Sequence, residues 1–111
     1  MKVTVTSEHI EKSRASKKSL GDWRGICSTC PMALALQEVT KIHTAWTNGD
    51  EWGLYMTSPE GAENPARLPL PDGARMWISQ YDTWEVAEQH WELHGEVNHH
   101  YRPMTPATFE L

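Results

Sequence analysis

Residues 27–36 read Cys27, Ser28, Thr29, Cys30, Pro31, Met32, Ala33, Leu34, Ala35, Leu36, and the fold is read outward from them. Cys30 is placed to cap a helix. Pro31 follows in the first turn, where its missing N–H leaves no bond unmade, and Met, Ala and Leu then favour propagation. Val39 and Ile42 continue the apolar pattern. The sequence therefore predicts a helix over residues 31–42, apolar on most sides and central to the core.

Upstream, residues 2–6 alternate and are rich in β-branched side chains, which predicts a short strand with Val3 and Val5 on one face. Thr6 or Ser7 then caps a helix with Glu8 and Glu11 early and Lys12 and Arg14 late, the order a helix dipole favours, and Ile10 as its apolar anchor. Residues 13–25 are mostly Ser, Lys, Arg and Gly, and read as the helix end and a long exposed loop.

Downstream, residues 43–47 and 51–56 are strand-like and flank Asn48, Gly49 and Asp50, a hairpin signal because Asn and Gly tolerate positive φ. Residues 58–65 read as a surface loop and 67–71 as a proline-interrupted edge strand. Asp72 opens a helix whose apolar face is Met76, Trp77, Ile78 and Tyr81. Thr83 caps a further one with two apolar stripes, Trp84, Ala87 and Trp91 beside Val86, His90, Leu93 and Val97, which implies two neighbours or a partner chain. Residues 107–111 form a terminal strand. The expected fold is one α+β domain over residues 1–111. A short mixed or antiparallel sheet of N-terminal strand, central hairpin and C-terminal strand packs on the central helix, with two further helices.

Composition supports a single core. Six Trp, three Tyr and one Phe in 111 residues supply the apolar area, since each buried aromatic removes about 150–250 Å² from water. The longest apolar run, residues 32–36, is far short of the roughly 18 residues that span a bilayer. The N-terminus lacks the apolar run of an export signal, so a cytoplasmic protein is expected. Charge is uneven: residues 1–31 hold six basic and three acidic side chains, and the other 80 hold four basic and twelve acidic ones. A chain of net charge −5 is a poor general binder of nucleic acid.

Three groups of residues carry candidate chemistry. Cys27 and Cys30 at a helix N-terminus are in the setting that lowers a thiol pKa, yet residues 21–26 are not the buried strand that precedes a thioredoxin-type site. The same pair, with His90 and His94 at i, i+4, supplies ligand types for zinc, although the long separation matches no finger or ribbon spacing. The plainer reading is two small thiols packed at the start of the central helix. Arg14, Lys17, Lys18 and Arg24, with serines and a flexible backbone around them, suit an anion, and Trp23, with Trp46 or Trp52 of the hairpin, offers a ring for a nucleobase. Neither nucleotide-binding glycine motif is present. Glu85, Glu88, Glu92 and Glu96 recur at about helical spacing and read as a solvated face, and no nucleophile elbow or H-E-x-x-H argues for a hydrolase.

Thr4, Val5 and Thr6 before Ile10, the run Cys27, Ser28, Thr29, Cys30, Pro31, Met32, Ala33, Leu34, Ala35, then Arg67, Leu68, Pro69 before Ala74 and Asp82, and Pro106, Ala107, Thr108, Phe109, Glu110, Leu111 at the end resemble a family of short uncharacterised phage and prophage proteins. These share a C-x-x-C-P-h-A-x-A core, with h apolar. The resemblance implies a virus-encoded accessory protein and transfers no catalytic residue. This chain departs from the pattern by a longer basic loop before Cys27 and by the segment 83–101.

Two functional expectations follow. The first is a non-enzymatic, homo-oligomeric counter-defence protein that sequesters an anionic small ligand, such as a cyclic nucleotide immune signal, on Arg14, Lys17, Lys18, Trp23 and Arg24. The second is an inhibitor or adaptor that docks a host protein through the acidic, Trp-rich segment 83–101. A zinc or thiol-redox protein using Cys27 and Cys30 is the remaining alternative.

Overall fold

A computed structural model of the chain describes residues 1–15, 28–55, 67–99 and 101–111. Strand β1 (Lys2–Val5) leads into helix α1 (Ser7–Ala15), and α2 (Pro31–Thr40) is followed by β2 (Trp46–Thr47), β3 (Glu51–Gly53) and β4 (Leu68–Pro69). Helix α3 (Asp72–Tyr81) continues through a π-helical turn (Asp82–Val86) into α4 (Ala87–Leu93), and β5 (Ala107–Glu110) closes the chain. The α+β class and the antiparallel pairing are as expected. The strands, however, divide between two sheets, β1–β5 and β2–β3–β4, instead of gathering in one.

Helix α1 begins with a reciprocal capping box. The His9 N–H donates to Thr6 Oγ1 at 3.3 Å, and the Thr6 N–H donates to His9 Nδ1 at 3.0 Å, so the imidazole does what Glu usually does at this position. Helix α2 starts as its sequence predicts. Cys30 is extended, with ψ 157°, and its Sγ accepts from Ala33 N–H at 3.5 Å. The helix ends at Thr40, short of Ile42, because Lys41 takes a left-handed conformation with φ 61° that stops α-helical bonding. Val39, expected to be covered, is exposed near that end.

Helix α2 is the centre of the packing: α1, β1 and β2 all rest on it. Met32, Ala33, Ala35 and Leu36 join Val3, Val5, Ile10, Trp52, Leu70, Ala74, Trp77, Ile78 and Tyr81 in one core cluster. The two termini close the first sheet, with Val3 opposite Phe109 and Val5 opposite Ala107.

The hairpin forms where predicted but not by positive φ, which neither Asn48 nor Gly49 adopts. The Asn48 carboxamide accepts from the N–H groups of Asp50 (2.8 Å) and Glu51 (2.6 Å), and this side-chain turn reverses the chain. Two further expectations are corrected. Met76 is exposed on α3. Thr83 caps nothing: the helix runs on, and its Oγ1 donates back to Ser79 O at 2.9 Å.

Candidate functional site

Of the five residues expected to hold an anion, Arg14 is in the described part of the chain, and Lys17, Lys18, Trp23 and Arg24 lie outside it. The Arg14 guanidinium is already engaged, its Nε standing 3.2 Å from Oε2 of Glu85, a carboxylate that is 1% exposed. Glu85 Oε1 receives longer contacts of 3.4 Å from Tyr101 OH and Met104 N–H. Beside this pair, Ser13 and Tyr81 join their hydroxyls. A buried carboxylate without a cation would retain most of its desolvation penalty, so Arg14 serves the fold before it can serve a ligand. Trp46 and Trp52 are both buried, as aromatics of a small domain more often are, and neither ring is placed to meet a base.

Cys30 fits the plain reading. It is buried, its thiol lies 2.9 Å from Thr47 Oγ1, and the contact links the α2 N-terminus to β2. Cys27 lies outside the described residues. Among those described, no three His, Cys, Asp or Glu side chains converge as a metal site. The alternative of a zinc centre shared by the cysteines with His90 and His94 finds no such gathering among the described residues. Cys30 sits in the core, and both histidines are exposed at the far end of the α3–α4 helix.

His9 is buried between α1 and α2. With Nδ1 accepting from Thr6, its Nε2 is left to donate to Glu38 of α2, so both ring nitrogens hold structure. A cleft of about 590 Å³ opens beside this pair, where Lys2 and Lys41 lie close to Thr4, Thr6 and Glu38. Its charges are of both signs.

Segment 82–99 behaves differently from the rest. The Ala87 N–H bonds to Asp82 O, five residues back, so a π turn inserts an extra residue into the helix. Glu85, one turn beyond Tyr81, continues the inward face of α3 across this turn. Trp84 and Val86 pack partly against the core, and no residue of α4 is buried. Trp91, Leu93 and Val97 stand 37%, 72% and 69% exposed. Residues 76–101 hold five carboxylates (Asp82, Glu85, Glu88, Glu92, Glu96) and no Lys or Arg. Packing around Asp82 removes water and raises its carboxyl pKa above the ordinary range.

No protein-family model, curated protein or solved structure matches this chain. The resemblance to short phage proteins thus rests on the quoted residues alone. Among the described residues no helix is long and apolar enough to cross a membrane.

Proposed function

We propose that this chain is a phage-encoded, non-catalytic docking protein that captures a basic protein of the bacterial host through the acidic arm formed by α4 and the residues after it. The observation that carries this reading is a helix that buries none of its residues and, with the residues after it, leaves Leu93 and Val97 largely exposed and Trp91 37% exposed. Such aromatic and aliphatic anchors supply most of the binding energy of an interface when a partner covers them. Glu88, Glu92 and Glu96, in a stretch of sequence without Lys or Arg, favour a positively charged partner and speed its approach. Pairing with a second copy's arm would set like charges against each other. The host cytoplasm is where such a partner would be met.

Trp84 is not part of this surface, because it packs partly against the core. The test is capture from a bacterial host lysate by the full chain and by Trp91→Ala, followed by purification of the captured protein and titration of both. We expect Trp91→Ala to weaken binding tenfold or more in a chain that still unfolds cooperatively, and wild-type affinity to fall as salt rises. Equal affinity of the two chains for the purified protein refutes the reading. The alternative, sequestration of an anionic small ligand on Lys17, Lys18, Trp23 and Arg24, predicts the opposite pattern. Cyclic di- and oligonucleotides would then raise the melting temperature, Lys17→Ala with Lys18→Ala would abolish the rise, and Trp91→Ala would leave it intact.

A further inference from the structure

We infer that His90 and His94 form a two-nitrogen site for a divalent transition-metal ion on the last turn of α4. The two imidazoles stand one helical turn apart on the same side of the helix, with ring centroids 4.5 Å apart and planes tilted by 59°. A metal bound at ~2.0–2.1 Å by one nitrogen of each ring would hold the ring centres roughly 4.5–5 Å apart at tetrahedral or octahedral angles, so the separation of the two rings is compatible with one shared ion. Both residues are exposed, and neither ring is held by a hydrogen bond or ion pair to another described residue.

The surroundings favour a cation. The site lies at the carbonyl end of a helix, where the backbone dipole attracts positive charge. Glu88, Glu92 and Glu96 add negative charge, and residues 76–101 contain no Lys or Arg to oppose the ion. No third His, Cys, Asp or Glu joins the pair among the described residues. The bound ion therefore keeps the rest of its coordination sphere for water or an incoming ligand. Imidazole donors suit Cu²⁺, Ni²⁺ and Zn²⁺, with Cu²⁺ bound most tightly by the general order of divalent affinities. The inference does not rest on the docking reading.

The test is calorimetric titration with Ni²⁺ of the wild-type chain, His90→Gln, His94→Gln and the double variant, since other histidines and the cysteines also offer donors. Chelation predicts that either single substitution weakens one site tenfold or more, and that the double variant loses one bound ion and nothing beyond that. Two unrelated imidazoles would instead lose capacity stepwise at unchanged affinity, which overturns the inference, as does identical binding by all four chains. In the unsubstituted protein, proton NMR during sub-stoichiometric Ni²⁺ addition should perturb the His90 and His94 ring signals together and before those of His43 and His99. Earlier perturbation of the other histidines also overturns it.

Discussion

Glu85 shows how far a single residue can depart from its sequence context. At the spacing of Glu88, Glu92 and Glu96 it reads as one more solvated carboxylate, yet it is buried against Arg14 and the segment carrying Tyr101 and Met104. Its place in the Glu85, Glu88, Glu92, Glu96 series hides that it also lies one turn, i+4, beyond Tyr81, on the continuation of the buried face of Ala74, Ile78 and Tyr81. The pair is unequal: Arg14 is 44% exposed and can return to water, whereas Glu85 cannot. Arg14→Met should therefore lower stability by about 1–3 kcal/mol in urea unfolding, since it strands a buried charge. In Arg14→Met with Glu85→Leu, much of that loss should be recovered. If the single substitution proves neutral, Arg14 is not needed by the fold and regains its candidacy as a ligand cation.

Among the elements, the hairpin shows a constraint that spans two strands. Gly53 lies opposite Trp46, and a Cβ there would meet the indole at 2.7 Å. The indole has little freedom to retreat, because Trp46 is buried and its Nε1–H donates to Tyr55 O at 2.8 Å. Gly53→Ala should accordingly destabilise by about 1–3 kcal/mol and disturb tryptophan fluorescence, whereas Gly49→Ala, with open space around it, should not disturb Trp46. The long helix offers a second test, at the turn that Asp82 opens. Its raised pKa means that the folded chain holds this proton more firmly than the unfolded one, so its contribution to stability declines as pH rises above the ordinary Asp range. Asp82→Asn should remove that decline. Its unfolding midpoint should exceed the wild-type value near pH 7, with the gain shrinking as the pH is lowered towards 4.

Across the whole molecule, the described chain separates into a packed body and an arm that is only partly covered, with Ala87, Glu88 and Gln89 half-buried and Asn98 buried. The body gathers α1, the sheets and the inward face of α3 around α2. Trp46, Trp52, Trp77 and Tyr81 are buried there, Trp84 and Phe109 pack partly against it, and Trp91 keeps 37% of its surface exposed. This division locates the proposed docking and the proposed metal pair on one arm, whereas Cys30 lies in the core of the body. It also predicts separable behaviour. Substitutions at His90 or His94 should leave the thermal midpoint nearly unchanged, whereas the changes at Arg14 or Gly53 should lower it.

The sequence by itself determined the local devices: the Cys30 and Pro31 start of α2, the Thr6 start of α1, the reversal at Asn48 and Gly49, and strands at both ends. Each depends on backbone preferences and side chains only a few residues apart. Tertiary structure alone decided that the strands divide into two sheets, that Glu85 is enclosed with Arg14, that Trp46 packs over Gly53 and that Trp91 stays partly exposed. Those outcomes depend on which distant surfaces meet, and the same alternation or helical spacing is compatible with several such meetings. The Cys30–Pro31 helix is accordingly the part that local chemistry fixes most firmly, and the arm is where packing left side chains available for binding.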